Sequence, residues 1–314
     1  MSLFVLIAAV MASAQGVMTA YHTGNKADLV AVYFTSSTRG FVGGDDGYLA
    51  STNDGGHTWQ QYQLNTKENI NEIYFRNDNN GYLVAGRLMF ITNDGGQTWN
   101  ETRIYRSTEF KTGTPEFTSI RFANKNRGLV IGSIVNRNDE VIDSLLMLTD
   151  DGGDTWSRVI LPTKSEIFHL DLNGSSHGWI VGDKGIVLAT ADGGRSWQQQ
   201  NSGVTRALFA VDFRDDSNGF AVGGGGSIIR TEDGGASWAK VSNNSNDTLK
   251  RVYFADDKNG WAVGLHGVIL RTTDKGRSWT TQQSPTKDDL YGLFMAKKYG
   301  CAVGEKGLVV IFQK

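Results

Sequence analysis

Two sets of residues in this chain have the types and spacing to do chemistry. The first is an aspartate followed five positions later by a tryptophan: Asp54 and Trp59, Asp94 and Trp99, Asp151 and Trp156, Asp192 and Trp197, Asp233 and Trp238, Asp274 and Trp279. An acid held beside an indole has the look of an active-site signature. The second set stands inside otherwise apolar six-residue stretches: Glu72, Arg121, His169, Asp171, Asp212 and Arg251. Asp171 and Asp212 are candidates for glycosidic acid/base work, which requires two carboxyl groups about 5 to 10 Å apart at an open cleft. Arg121 with Asp171 makes either a ligand-binding cluster or an ion pair between neighbouring units. A charge in apolar surroundings needs a partner in any case, and the structural reading is favoured.

Repetition decides against catalysis for the first set, because an active site is needed once and this motif occurs six times. Successive aspartates are 40, 57, 41, 41 and 41 residues apart, a period that marks a repeat architecture. Within each copy the carboxylate can accept hydrogen bonds from the backbone N–H groups of the glycines that follow, the sixth copy having Lys275 in place of the first glycine, holding a bend that mostly glycine adopts. The hydroxyl of Thr58 or Ser196 adds a second local bond, and the indole plugs the space between sheets.

The elements that position these residues follow from the same alignment. Each unit opens with a strand-like six-mer: Leu29 to Phe34, Ile70 to Phe75, Phe117 to Phe122, Ile167 to Leu172, Leu208 to Phe213, Leu249 to Phe254 and Leu290 to Met295. An apolar strand ending in glycine follows, such as Gly219-Phe220-Ala221-Val222-Gly223, then a short run into the Asp-Gly-Gly turn, then a polar strand after the tryptophan. No stretch keeps a 3.6-residue apolar period over ten positions, so helices are not expected. Four short strands in about 41 residues form a propeller blade. The fold expected is all-β: a seven-bladed β-propeller of four-stranded antiparallel blades over residues 15–314. The last unit stops at Phe312 with three strands, and Val17 to Thr23 is placed to supply its fourth.

Composition limits the functions available. A formal net charge of −2 gives no reason to expect nucleic acid. The one cysteine, Cys301, excludes an intrachain disulfide and a cysteine metal site, and the five histidines lack metal-ligand spacing. No metal or cofactor is expected. Leu3 to Ala12 is apolar, too short to span a bilayer, and leads into Ala12-Ser13-Ala14; residues 1–14 read as a signal peptide, with a buried N-terminal strand as the alternative. The expected location is the periplasm or the exterior, as a monomer without membrane insertion.

The turn, written Thr52-Asn53-Asp54-Gly55-Gly56-His57-Thr58-Trp59 in its first copy, resembles the Asp-box or BNR repeat, in which the aspartate is structural. Sialidases share that box, but no Arg-Ile-Pro occurs here and seven blades differ from six. Xyloglucan-cleaving enzymes share it as well, using two propellers. Val211 to Trp238 and Val252 to Trp279 resemble blades of the photosystem II stability and assembly factor family of plants and cyanobacteria, Ycf48-like, and the resemblance spans residues 29 to 312. It implies a noncatalytic propeller that binds a membrane-protein partner. The missing lipid-anchor cysteine and the Ala-Ser-Ala-Gln stretch look more like a non-photosynthetic bacterium.

Loops from the fourth strand to the next blade and from second to third strand share one face. The two insertions, about Arg103 to Glu116 and Ser133 to Ser144, are both in that class and in adjoining blades, so they should build one ridge. Arg103, Arg106, Arg137 and Asp139, with Glu109, Lys111 and Glu140, give it mixed charge suited to a protein partner. The alternative function is a carbohydrate binder or glycoside hydrolase, sialidase-like, using the channel mouth.

Overall fold

The computed structural model describes residues 17–110 and 113–313; the expected signal peptide at 1–14 and Lys111 lie outside them. Seven four-stranded antiparallel sheets are arranged as blades. The innermost strands are Leu29–Phe34, Ile70–Phe75, Thr114–Phe122, Ile167–Asn173, Leu208–Phe213, Leu249–Phe254 and Leu290–Met295, one per blade, numbered one to seven in that order. Among the described residues the only helical elements are three-residue 3₁₀ turns.

Blade seven is closed by the start of the chain. Val17–His22 pairs antiparallel with Leu308–Gln313 over the full strand, Val17 opposite Gln313 and His22 opposite Leu308, as the missing fourth strand required. Without it the apolar strand Leu308–Phe312 would be an open edge.

Blades cohere through the last residue of each inner strand. In four blades this is a ring lying on the residue after the glycine of the preceding blade's second strand: Phe75 on Phe41 with centroids 4.9 Å apart, Phe122 on Tyr82 at 4.1 Å, Phe213 on Trp179 at 3.4 Å and Phe254 on Phe220 at 4.5 Å. The turn tryptophans Trp99, Trp156, Trp238 and Trp279 meet these pairs edge-on, as Trp99 does at 6.3 Å from Phe41 and Trp279 at 6.2 Å from Phe220. Such pairs add to the burial of large rings that already dominates the core.

The turns refine the sequence reading. The Asp54 carboxylate accepts N–H bonds from His57 and Thr58 (3.0 and 2.9 Å) and the Thr58 hydroxyl at 2.5 Å. The N–H groups of the glycines go elsewhere: Gly55 donates to the Thr38 carbonyl, and Gly56 to Thr52 Oγ1 at 2.9 Å. Both glycines have left-handed φ, 77° and 95°, which turns their N–H groups away from the carboxylate. A side chain on Gly56 would also meet Ile311 of blade seven at 2.5 Å.

The insertions differ from simple loops. Thr114–Glu116 pairs with Ser133–Val135, and the second-to-third hairpin of blade three runs through Gly128–Val135 and Val141–Thr149. Part of each insertion therefore lengthens the sheet.

Candidate functional site

The inner strand of every blade is a sheet edge facing the central channel, so half its backbone N–H and C=O groups have no strand partner. Side chains of the preceding blade supply one. At the fifth position of the six-mers, the Tyr33 hydroxyl donates to the Phe75 carbonyl (2.9 Å) and Tyr74 to Phe122 (3.1 Å). The Asp171 carboxylate accepts the Phe213 N–H at 2.7 Å, and Asp212 accepts that of Phe254 at 3.0 Å. At the third position, Glu72 Oε2 accepts the Ile120 N–H (2.8 Å) and His169 Nδ1 that of Val211 (3.3 Å).

Arg121 joins three blades. One guanidinium nitrogen lies 2.6 Å from Glu72 Oε1, and the other is 3.2 Å from His169 Nε2. Because His169 Nδ1 accepts a backbone N–H, its Nε2 carries the ring proton in the neutral form and faces Glu72 Oε1 at 3.6 Å. Burial raises the Glu72 pKa, but the charge of Arg121 and the bond from His169 outweigh this and hold it well below the usual range. Burial and the neighbouring guanidinium groups, opposed by Glu72, lower His169 to about 4. Burial also raises Asp171 to about 6 against the pull of Arg121, and raises Asp212 well above its ordinary value with the Asp171 charge adding to it. Two carboxyl groups that repel each other in a low dielectric resist being ionised together.

These residues surround a cavity of about 290 Å³, lined in addition by Tyr33, Tyr74, Tyr253 and Phe294. Ala123 and Gly174, from loops between first and second strands, also line it, so it reaches toward the face of the Asp-Gly-Gly turns. At the other end Phe168 and Phe209 pack at 5.2 Å, with Lys250 Nζ 3.8 Å from the Phe209 ring. Glu72, Arg121, His169, Asp171, Asp212 and Arg251 are thus brought together in one lining. The aromatic members were missed in the sequence, although all four occupy the same fifth position of the six-mer.

The ridge is separate from the channel. Ile104 and Phe110 are buried against Ile134 and Leu145, with Tyr105 and Ile142 packed alongside, and Arg158 Nη2 holds Asp143 at 2.7 Å with its guanidinium 5.7 Å from the Phe110 ring. The two insertions are therefore one packed body. Its tip is fixed by Asn136, whose Oδ1 accepts the N–H groups of Asn138 and Glu140 (2.8 and 3.0 Å). Arg103, Arg106, Arg137 and Asp139 are all exposed, and none of them forms an ion pair among the described residues. Beside them Arg87, paired with Glu68 at 3.4 Å, lines an open pocket of about 270 Å³ with Arg103 and Tyr105.

Asp54, Asp94, Asp151, Asp192, Asp233 and Asp274 do not converge. Each sits in its own turn with its carboxylate engaged by local hydroxyl and N–H donors, which lower its pKa. Among the described residues no group of three or more His, Cys, Asp or Glu is placed to hold a metal ion.

The family model of the photosystem II assembly factor Ycf48 matches residues 57–166, 155–208 and 197–292. The chain belongs to the Ycf48 family. No curated protein matches it by sequence. Among solved structures it is similar to Ycf48 bound to a D1 peptide, at a TM-score of 0.77 and 19% identity over 95% of both chains. It is also similar to Ycf48 from Cyanidioschyzon merolae, with a TM-score of 0.75 and 18% identity over 94% of this chain and 98% of that one. Virginiamycin B lyase from Staphylococcus aureus matches in fold at 0.76 and 12% identity over 96% and 100%. At these identities the structural likeness establishes the propeller; the family rests on the sequence match.

Proposed function

We propose that this chain is an exported, noncatalytic propeller, monomeric, that binds a protein partner during assembly of a membrane-protein complex. The observation that carries the reading is membership of a family with a member solved bound to a peptide. The ridge is the surface we assign to the partner: an apolar-cored projection of mixed charge, with arginines that form no ion pair among the described residues, suits contact with a protein surface. Replacing Arg106 and Arg137 by Glu should weaken partner capture from a lysate of the native host at least tenfold without lowering the unfolding midpoint. Capture of every partner at wild-type level would remove the ridge from the reading.

A second reading has one specific observation in its favour, the raised Asp171 and Asp212 carboxyls beside three tyrosines in the channel cavity. It is a glycan binder or glycoside hydrolase using the channel mouth. Screening the purified chain on glycans separates the two, with turnover abolished by Asp171→Asn or Asp212→Asn as the outcome that would favour it.

A further inference from the structure

Six blades fill the slot between their own inner strand and the preceding blade with a tryptophan from the Asp-Gly-Gly turn. Blade seven has no such turn, because its third strand ends at Gln313 and its fourth is Val17–His22. The seventh slot lies between Met295, the last inner-strand residue of blade seven, and Trp261, the second residue of blade six's second strand. Its counterparts Phe41, Tyr82, Leu129, Trp179, Phe220 and Cys301 are all buried, whereas Trp261 is only half-buried. Phe312 occupies the register position that the turn threonine holds in other blades, and its ring meets Trp261 edge-on at 5.1 Å. It fills the slot in part and leaves a cavity of about 40 Å³ lined by Met18, Ala255, Trp261, Arg271, Met295 and Ala296.

The rim has a sign. Lys297 and Lys298 are exposed beside it, and the Arg271 guanidinium lies 5.0 Å from the Trp261 ring with its Nε buried and lacking a hydrogen-bond partner. Asp256 also lines it and brings one negative charge against these three cations; its carboxylate accepts the Lys258 and Asn259 N–H groups and the Asn259 amide, among other contacts. We propose that this notch docks an aromatic side chain of a peptide segment carrying an adjacent carboxylate. The entering ring takes the place above Trp261 that the Arg271 guanidinium now holds, supplying the edge-on contact a turn tryptophan makes elsewhere. The displaced guanidinium then meets the peptide carboxylate, and Lys297 and Lys298 add to that attraction. This rests on the reading that the chain binds a protein partner, at a site distinct from the ridge.

The test is calorimetric titration of the full chain with the peptide acetyl-Gly-Asp-Trp-Asp-Gly-amide. Expected are saturable binding, its loss when the peptide Trp is Ala, at least tenfold weakening in K297E/K298E, and abolition in Ala296→Phe, which fills the notch while keeping the unfolding midpoint. Absence of binding to the full chain overturns the proposal, as does binding indifferent to Ala296→Phe. It is equally overturned if binding appears only in a chain starting at Val17, since the leading residues then occupy the notch, or if Ala296→Phe dissolves a dimer, since a second copy then does. Partner capture lost in R106E/R137E with no peptide binding would sink the notch alone; peptide binding with capture unaffected by the ridge variant would sink the ridge alone.

Discussion

Removing Glu72 tests whether the charges inside the channel hold the ring together. Its carboxylate is 10% exposed, lies 2.6 Å from a guanidinium that is 20% exposed, and accepts the buried Ile120 N–H at 2.8 Å. Glu72→Ala therefore strands both a buried cation and a buried donor. Breaking one side of such a pair costs about 3 to 5 kcal/mol, and an orphaned N–H alone costs about 1 to 3 kcal/mol. Arg121 keeps its bond to the Ile120 carbonyl at 2.8 Å, and the neighbouring cavity admits water, so the low end applies: about 3 kcal/mol. Urea unfolding at pH 7, with a slope of about 3 kcal/mol/M, would show this as a midpoint lowered by about 1 M. The companion Arg121→Met should cost a similar amount, and the double variant clearly less than the sum, because the second change removes the charge the first left unpaired. A loss under about 1 kcal/mol in Glu72→Ala, or strict additivity, would refute the argument and return the cluster to candidacy as a free ligand site.

The Asp171 and Asp212 pair has folded pKa values raised above the unfolded carboxylate range near 4, so the stability it leaves intact below pH 4 is lost as pH rises through about 6 and beyond. Asp212→Asn keeps an oxygen for the Phe254 N–H and should gain in melting temperature over the wild type at pH 8 while gaining little at pH 4. Thr190→Val deletes the hydroxyl that accepts the Gly194 N–H at 3.0 Å and donates to Asp192 at 2.8 Å; a loss of about 1 to 2 kcal/mol in urea unfolding is expected, with similar losses at the matching threonines of other blades. A chain beginning at Thr23 lacks the closing strand and should elute as oligomers or aggregate on size-exclusion chromatography, because Leu308–Gln313 becomes an exposed apolar edge.

The architecture was readable because one short turn recurs with a fixed period. Its spacing set the repeat, the six-mers aligned on it numbered seven blades, and the three strands of the last unit pointed to Val17–His22 as the fourth, which pairs there. Less was legible where a residue's role depends on a partner some 42 positions away. Asp171 was paired with Arg121 or with Asp212 in the sequence, and Arg121 in fact pairs with Glu72; nothing local shows that Asp171, Asp212 and Glu72 each face the unpaired backbone edge of the next blade. Aligning the six-mers by position rather than by polarity would have placed Tyr33, Tyr74 and Tyr253 in the same ring. The glycine N–H groups were assigned to the turn aspartate on proximity, whereas left-handed φ directs them to Thr52 and to the Thr38 carbonyl. Strand pairing within the insertions was hidden because an alignment on the six-mer starts at Phe117 and leaves Thr114–Glu116 outside it.

A propeller's inner strands are edges that no further strand can cover, so polar side chains in the channel answer a structural demand before any ligand is considered. Once Asp171, Asp212, Glu72 and His169 are each bonded to a neighbouring backbone N–H, their presence no longer singles out the channel as a place of chemistry. Arg251 fits the same account, with its guanidinium directed at the Phe209 and Lys250 carbonyls at 3.4 and 3.3 Å. What the fold does not demand is more informative: among the described residues, arginines on the ridge without ion-pair partners, and a half-buried Trp261 in a slot that lacks a turn tryptophan. Departures from the repeat, rather than the repeat itself, are where a partner would be read.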